Sequence, residues 1–211
     1  MTTVLLTGFE PFGGDTANPS GAAVHLVAAR WTGPEVLVTA ELPVSFDGAS
    51  RRLRELIATH HPDLVLATGL AGGRAAIGVE RIAVNLIDAR IPDNDGHQPT
   101  DVPSVEGAPA AHFSSLPVKA IVRDIAAAGI AVELSHSAGT FVCNHVFFAA
   151  VEAVPPGVPA GFIHVPWSSE HAPTTDAAAL PLADIARALE IAVRTALSTH
   201  VDIGIPGGAL H

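Results

Sequence analysis

Asp63-Leu-Val-Leu-Ala-Thr68, closed by Gly69, is the stretch that decides the fold. Its interior is apolar without alternation, the pattern of a strand buried on both faces, and such strands belong to parallel sheets covered by helices on either side. Upstream, Thr3–Thr7 reads as a strand. Asn18 then caps a helix that runs to about Trp31, with Pro19 at its first position. Val36–Leu42 reads as a strand and Phe46–Thr59 as a helix. Downstream, Ile77–Asp88 is extended with Glu80 inside it, and a Pro- and Asp-rich segment, Ile91–Pro117, lacks periodicity. Helical spacing returns at Val118–Ala128, followed by a strand at Ile130–Leu134, a helix that begins near Cys143, a strand at Gly161–Val165 and a helix from Leu182 to about Ser198. The alternation predicts an α/β fold: a single-domain, three-layer α/β/α sandwich around a mostly parallel, twisted central sheet, over residues 1–200. A Gly/Pro-rich tail, residues 201–211, is expected to be loosely held around Gly204–Gly208.

Composition narrows the function. The 211 residues carry 48% hydrophobic side chains, enough for a substantial core. A net charge of −10 repels polyanions, so a nucleic-acid partner is not expected. No apolar run reaches the roughly 20 residues that span a bilayer, and the first residues lack the basic segment of a signal peptide. With a single cysteine, the expected address is the cytoplasm.

In an α/β fold the turns after strand carboxyl ends collect functional groups. Four aperiodic motifs fall at such places: Gly8-Phe-Glu-Pro-Phe-Gly-Gly14, Gly69-Leu-Ala-Gly-Gly-Arg74, Ser135-His-Ser-Ala-Gly-Thr-Phe-Val-Cys143, and His164-Val-Pro166. Cys143 has no intramolecular disulfide partner. It is either a small buried hydrophobe or a nucleophile placed where a small-residue turn enters a helix. Thr140 as N-cap would put it at the third helical position, where free amides and the helix dipole lower a thiol pKa while desolvation raises it.

A thiol nucleophile needs a base, and the base needs an orienting acceptor. Among eleven histidines, His60, His61, His200 and His211 lie at helix ends or the terminus, and His145 faces away from Cys143 on its helix. His164 ends an apolar strand, either as a hydrogen-bonded core residue or as the base. Glu80 is a carboxylate inside an apolar strand, either orienting that base or paired with Arg81 or Arg74. The Gly69–Arg74 turn fits neither a Walker loop nor a dinucleotide fingerprint. Asp93-Asn-Asp-Gly-His97 lacks EF-hand spacing and a distal Glu, so no metal is expected.

Together these motifs resemble the pyroglutamyl peptidase family of cysteine peptidases. The resemblance runs through Leu6–Gly14, Asn18-Pro-Ser20, Gly69–Asn85, Asp88–Gly96, Phe113–Pro117, Ser135–Asn144 and Phe162–Pro166, and so covers nearly the whole chain. It implies Cys143 as nucleophile, His164 as general base and Glu80 as the residue orienting the imidazole. Arg90 matches the arginine of the oxyanion site, beside the Cys143 amide. Phe9, Phe12, Asn18, Ile91, Phe141 and Val142 match positions lining the pyroglutamyl pocket. The resemblance further implies peptides with an N-terminal pyroglutamyl residue as partners, no cofactor, and a homotetramer. Three departures accompany it: Gly78 stands where Ser or Thr is common, Leu70 replaces a Gln found in some members, and Trp167–His171 replaces a Pro-Glu-Gln-like ending.

The substrate chemistry suits these residues. A pyroglutamyl residue has no free amine, so its site needs no ammonium-binding carboxylate. It needs an apolar slot and a few hydrogen bonds to a flat lactam, which Phe9, Phe12, Phe141 and Asn18 can offer. The competing expectations are a nucleoside phosphorylase or hydrolase that uses Arg74 for phosphate or sugar, and a non-catalytic module that binds through the Phe9/Phe12 slot.

Overall fold

The computed structural model describes residues 1–208. A six-stranded sheet has the order β2-β1-β3-β8-β4-β7, from β1 (Thr3–Phe9), β2 (Val36–Leu42), β3 (Leu64–Leu70), β4 (Ile77–Glu80), β7 (Val132–Ser135) and β8 (Ala160–Val165). β1, β2, β3 and β8 run parallel, β4 lies antiparallel against β8, and β7 is parallel to β4. Four short strands stand apart as two pairs, β5 (Ile82–Val84) with β6 (Ala111–Phe113), and β9 (Trp167–Ser168) with β10 (Ala179–Leu180).

Helices cover both faces. On one, Val4, Leu6, Leu64, Leu66, Ile163 and Val165 meet α1 (Pro19–Arg30), α3 (Val118–Ala127) and α5 (Leu182–Ser198). On the other, Leu5, Val65, Ala67 and Phe162 meet α2 (Phe46–His60) and α4 (Val142–Ala153). Neighbours along each strand therefore point to opposite layers, which explains why β3 reads as an unbroken apolar run. The same alternation fixes the site. Ile77 and Val79 face the α1/α3/α5 layer, so Glu80 faces the other, and His164 follows Phe162 onto the α4 side.

Three expectations change. The extended stretch Ile77–Asp88 is not one strand, because the chain leaves the sheet after Glu80 and β5 pairs with β6. The cause is Asn144, fully buried on α4: its Oδ1 accepts from Val84 N–H, and its Nδ2 donates to the carbonyls of Val84 and Leu86. Helix α4 starts one residue later than its sequence suggests, with Phe141 as N-cap, so Cys143 is its second residue. Thr140 does not cap because its hydroxyl donates to Asp88 O, while Asp88 N–H donates back to Thr140 O. The tail is anchored at Asp202 and Ile205. Asp202 accepts from the Lys119 and Ala120 amides at the start of α3, which lacks a side-chain cap of its own, and Lys119 Nζ reaches Ile205 O. Residues 209–211 of the expected tail lie outside the described residues.

Candidate active site

The ends of β3 and β8 are where the candidate residues meet. Gly69 on β3 is the register partner of His164 on β8. The Cys143 sulfur packs directly over Gly69, only 2.7 Å from where a Cβ on that residue would stand, with the Phe162 ring 2.9 Å from the same point. Glycine is therefore required here by the close approach of the thiol to the sheet. The sulfur arrives from the first turn of α4, where Phe141 offers no side-chain cap and the leading amides keep their donors for a ligand.

His164 is 5% exposed and Glu80 is fully buried. His164 Nδ1 lies 2.7 Å from Glu80 Oε1, so the proton sits on Nδ1 and Nε2 is left as the basic nitrogen. The same Oε1 accepts from Arg74 Nη1 at 2.9 Å, while Glu80 Oε2 is buried without a partner. One carboxylate oxygen of Glu80 thus meets both His164 and Arg74, and the ion pair is with Arg74 rather than Arg81. Burial, and then the Glu80 charge, push the Cys143 thiol up to about 12, with Arg74 acting the other way. Burial and the Glu80 charge both favour the protonated thiol.

Cys143 opens onto a cavity of about 170 Å³ whose lining includes Phe9, Phe12, Asn18, Phe141 and Val142, together with Asp15, Ala17, Val44 and Leu70. Pockets for drug-sized ligands span roughly 300–1,000 Å³, so this one suits a single small ring. Phe12 and Phe141 meet with centroids 5.5 Å apart, and Phe46 buttresses Phe141 edge-on at 5.3 Å. Asn18 is largely committed to the fold. Its Oδ1 accepts from the backbone and hydroxyl of Ser20, and its Nδ2 donates to Glu10 O, which leaves one amide hydrogen for a ligand. Leu70 on the wall keeps the slot apolar.

Arg90 and Ile91 are exposed, Ile91 at 45%. Their segment is tied beside the start of α4 by the two Asp88–Thr140 bonds. Asp15, Ala17 and Val44 escaped the sequence reading. The first two lie three and one residues before Asn18 in the same glycine-bearing loop, and Val44 lies two residues past the carboxyl end of β2, so position after a strand was a signal available for all three. Arg74 is not a free cation for a phosphate, since it is bound to Glu80 and Ser137 O.

A thiol at a helix start, over the register partner of an imidazole held by a buried carboxylate, is an arrangement that suits a cysteine hydrolase. The sequence profile of the pyroglutamyl peptidase family matches residues 2–199, and the chain belongs to that family. It is 46% identical to a pyrrolidone-carboxylate peptidase of Clavibacter michiganensis, with all of both chains covered. A pyrrolidone-carboxylate peptidase of Streptomyces coelicolor is also 46% identical over both full lengths. The crystal structure of pyroglutamyl peptidase I from Bacillus amyloliquefaciens superposes with a TM-score of 0.92 at 43% identity, covering 97% of this chain and 99% of that one. Pyrrolidone carboxyl peptidase from Thermococcus litoralis gives 0.92 at 38% identity, covering 98% and 100%.

Proposed function

We propose that Cys143, His164 and Glu80 are the catalytic residues of this cysteine peptidase, which hydrolyses the amide bond after an N-terminal pyroglutamyl residue. The observation that carries the reading is the Glu80–His164 contact of 2.7 Å at the strand end whose register neighbour, Gly69, lies under the Cys143 sulfur.

The lactam enters between Phe9, Phe12 and Phe141, in a lining that is apolar apart from Asp15, Asn18 and the Cys143 thiol. As the sulfur attacks the pyroglutamyl carbonyl carbon, its proton passes to His164 Nε2, and Glu80 stabilises the imidazolium through Nδ1–H. The Cys143 amide, with Arg90 from the adjoining segment, receives the negative charge that develops on the carbonyl oxygen. Collapse transfers the Nε2 proton to the leaving amine and leaves a thioester. Water, deprotonated by the same nitrogen, attacks the thioester, releasing pyroglutamate and restoring the thiol. Ile91, Val142 and Asn18 complete the pocket in this reading.

A cytoplasmic homotetramer acting on pyroglutamylated peptides, without nucleic-acid or membrane partners, belongs to the same proposal. The unpaired cysteine supports a reducing compartment. Exposed Phe113, at 67%, and Val102, at 39%, offer apolar surface for assembly. The net charge of −10 supports the lack of a nucleic-acid partner. The test is turnover of a fluorogenic pyroglutamyl amide against an alanyl amide. A preference of several orders of magnitude is expected for a pocket that hydrogen-bonds the lactam, and equal rates would remove the assignment.

A further inference from the structure

Arg74 lies outside the chemistry just described, yet it makes the closest ionic contact with it. Its Nη1 shares Glu80 Oε1 with His164 Nδ1, and its Nη2 donates at 3.2 Å to Ser137 O, in the turn that leads into the nucleophile's helix. One guanidinium therefore bridges the orienting carboxylate on β4 and the approach to Cys143. The route exists because residue 78 is glycine. A Cβ there would collide with Arg74 Nη1, and Gly78 is the register partner of His164 on the antiparallel strand.

We propose that Arg74 is a positioning residue of the active centre, holding Glu80, the imidazole and the nucleophile's turn together through a groove that Gly78 leaves open. The inference rests on the triad reading above. Glu80 is fully buried and its Oε2 has no partner, so Arg74 supplies the only cationic side chain among its hydrogen bonds in the described residues. Charge as well as geometry follows. The charged and titratable groups around this point include Glu80 on β4, Glu133 on β7 at 3.8 Å from Nη1 with its side chain 55% exposed, His164 on β8, Cys143 on α4 and His136 in the turn before it, with Asp15 in the cavity lining. Removing a fixed positive charge makes each proton of the coupled Glu80–His164–Cys143 set bind more tightly, whichever microstate is active. Each apparent pKa then rises, and the profile of kcat/KM moves to higher pH.

The experiment records pH profiles of kcat and KM on a fluorogenic pyroglutamyl amide for R74M, R74K and G78A, with circular dichroism to check folding. R74M is expected to lose about 10- to 100-fold in kcat with KM nearly unchanged, and its acid limb to rise by about half to one pH unit. G78A keeps the arginine but displaces its Nη1, so it should lose part of kcat in the same direction as R74M. R74K retains the charge without the fork and should keep the wild-type acid limb while recovering only part of kcat. Folded R74M and G78A with wild-type kcat and an unmoved acid limb would overturn the proposal. If R74M does not fold, R74K decides, and a wild-type kcat in R74K would equally overturn it. Cys143→Ala in the same series separates the two levels: activity in that variant removes the triad reading itself, whereas an inactive Cys143→Ala beside unperturbed Arg74 variants removes only this inference.

Discussion

Glu80 and His164 are 84 residues apart in sequence, yet the Glu80 Oε1 oxygen lies 2.7 Å from His164 Nδ1 in a setting that excludes water. Antiparallel pairing of β4 with β8 is what makes this possible. Gly78 stands opposite His164, and Glu80, two residues on, points to the same layer and reaches back across the strand. An imidazole held this way presents one nitrogen, Nε2, to whatever the start of α4 delivers.

Substitutions at the three proposed catalytic residues should therefore rank by what each removes. Cys143→Ala and His164→Ala each lose a bond-making or proton-carrying group, and activity should fall by about 10³-fold or more. Glu80→Gln keeps an oxygen that accepts from both His164 and Arg74, losing charge rather than shape, and should retain more, with a loss on the order of 10²-fold. Steady-state kinetics on a pyroglutamyl amide, with folding checked by circular dichroism, would measure the order. A Glu80→Gln variant as inactive as Cys143→Ala would show that charge rather than orientation dominates.

Gly69→Ala tests the packing that sets the thiol in place. Its new methyl would stand 2.7 Å from the Cys143 sulfur and 2.9 Å from the Phe162 ring. The ring is wedged in the core beside Phe147 and His164 and cannot retreat, so the sulfur or its helix must move. Overpacking of this kind costs about 1–3 kcal/mol. Activity should fall further than stability does, which parallel urea melts and turnover measurements would show.

The buried His145 should govern stability in mild acid. It is 6% exposed, bonded through Nδ1 to Ser104 Oγ, and packed on Phe46. Burial, and then Arg54, lower its pKa to about 4. Between about pH 6.5 and 4 the unfolded chain binds a proton here that the native one refuses. The contribution is thus present above pH 6.5 and lost as pH falls through 4, by on the order of 3 kcal/mol. In His145→Gln the corresponding slope of unfolding free energy against pH should flatten, whatever the variant's absolute stability.

Asp202→Ala should loosen the carboxyl-terminal segment and α3 together, because one carboxylate holds both. Loss of such a cap costs about 1 kcal/mol, or about 2–4 °C in Tm for a chain of this size. Hydrogen exchange should quicken at the Lys119 and Ala120 amides.

The buried strands were legible because an unbroken apolar run such as Leu64–Ala67 has few homes other than a covered sheet. Cys143, His164 and Glu80 stood out as polar or reactive groups at strand ends and helix starts. What sequence could not show were the contacts that depend on elements meeting across the fold. Asn144, silent in sequence, takes β5 out of the main sheet. Thr140 looks like a cap until Asp88 claims its hydroxyl. Arg74 and His164 looked like alternative partners for Glu80, and only the sheet register brings both to one oxygen. The thiol's acidity is hard to read for a similar reason: a helix start is visible in sequence, whereas the burial and the Glu80 charge that raise the thiol are not.

That burial bears on the most direct test, which follows the only sulfhydryl in the chain. A thiol pushed up to about 12 is almost wholly protonated at neutral pH, so alkylation by iodoacetamide should be slow at pH 6–7 and rise about tenfold per pH unit toward alkaline conditions. The measurement is residual activity on a pyroglutamyl amide against label incorporated per chain by mass spectrometry, with and without a pyroglutamyl aldehyde in the slot. The account predicts that activity falls linearly to zero at one label per folded chain and that the aldehyde slows both together. Full labelling with activity retained, or a sulfur that reacts only once the chain is unfolded, would contradict it.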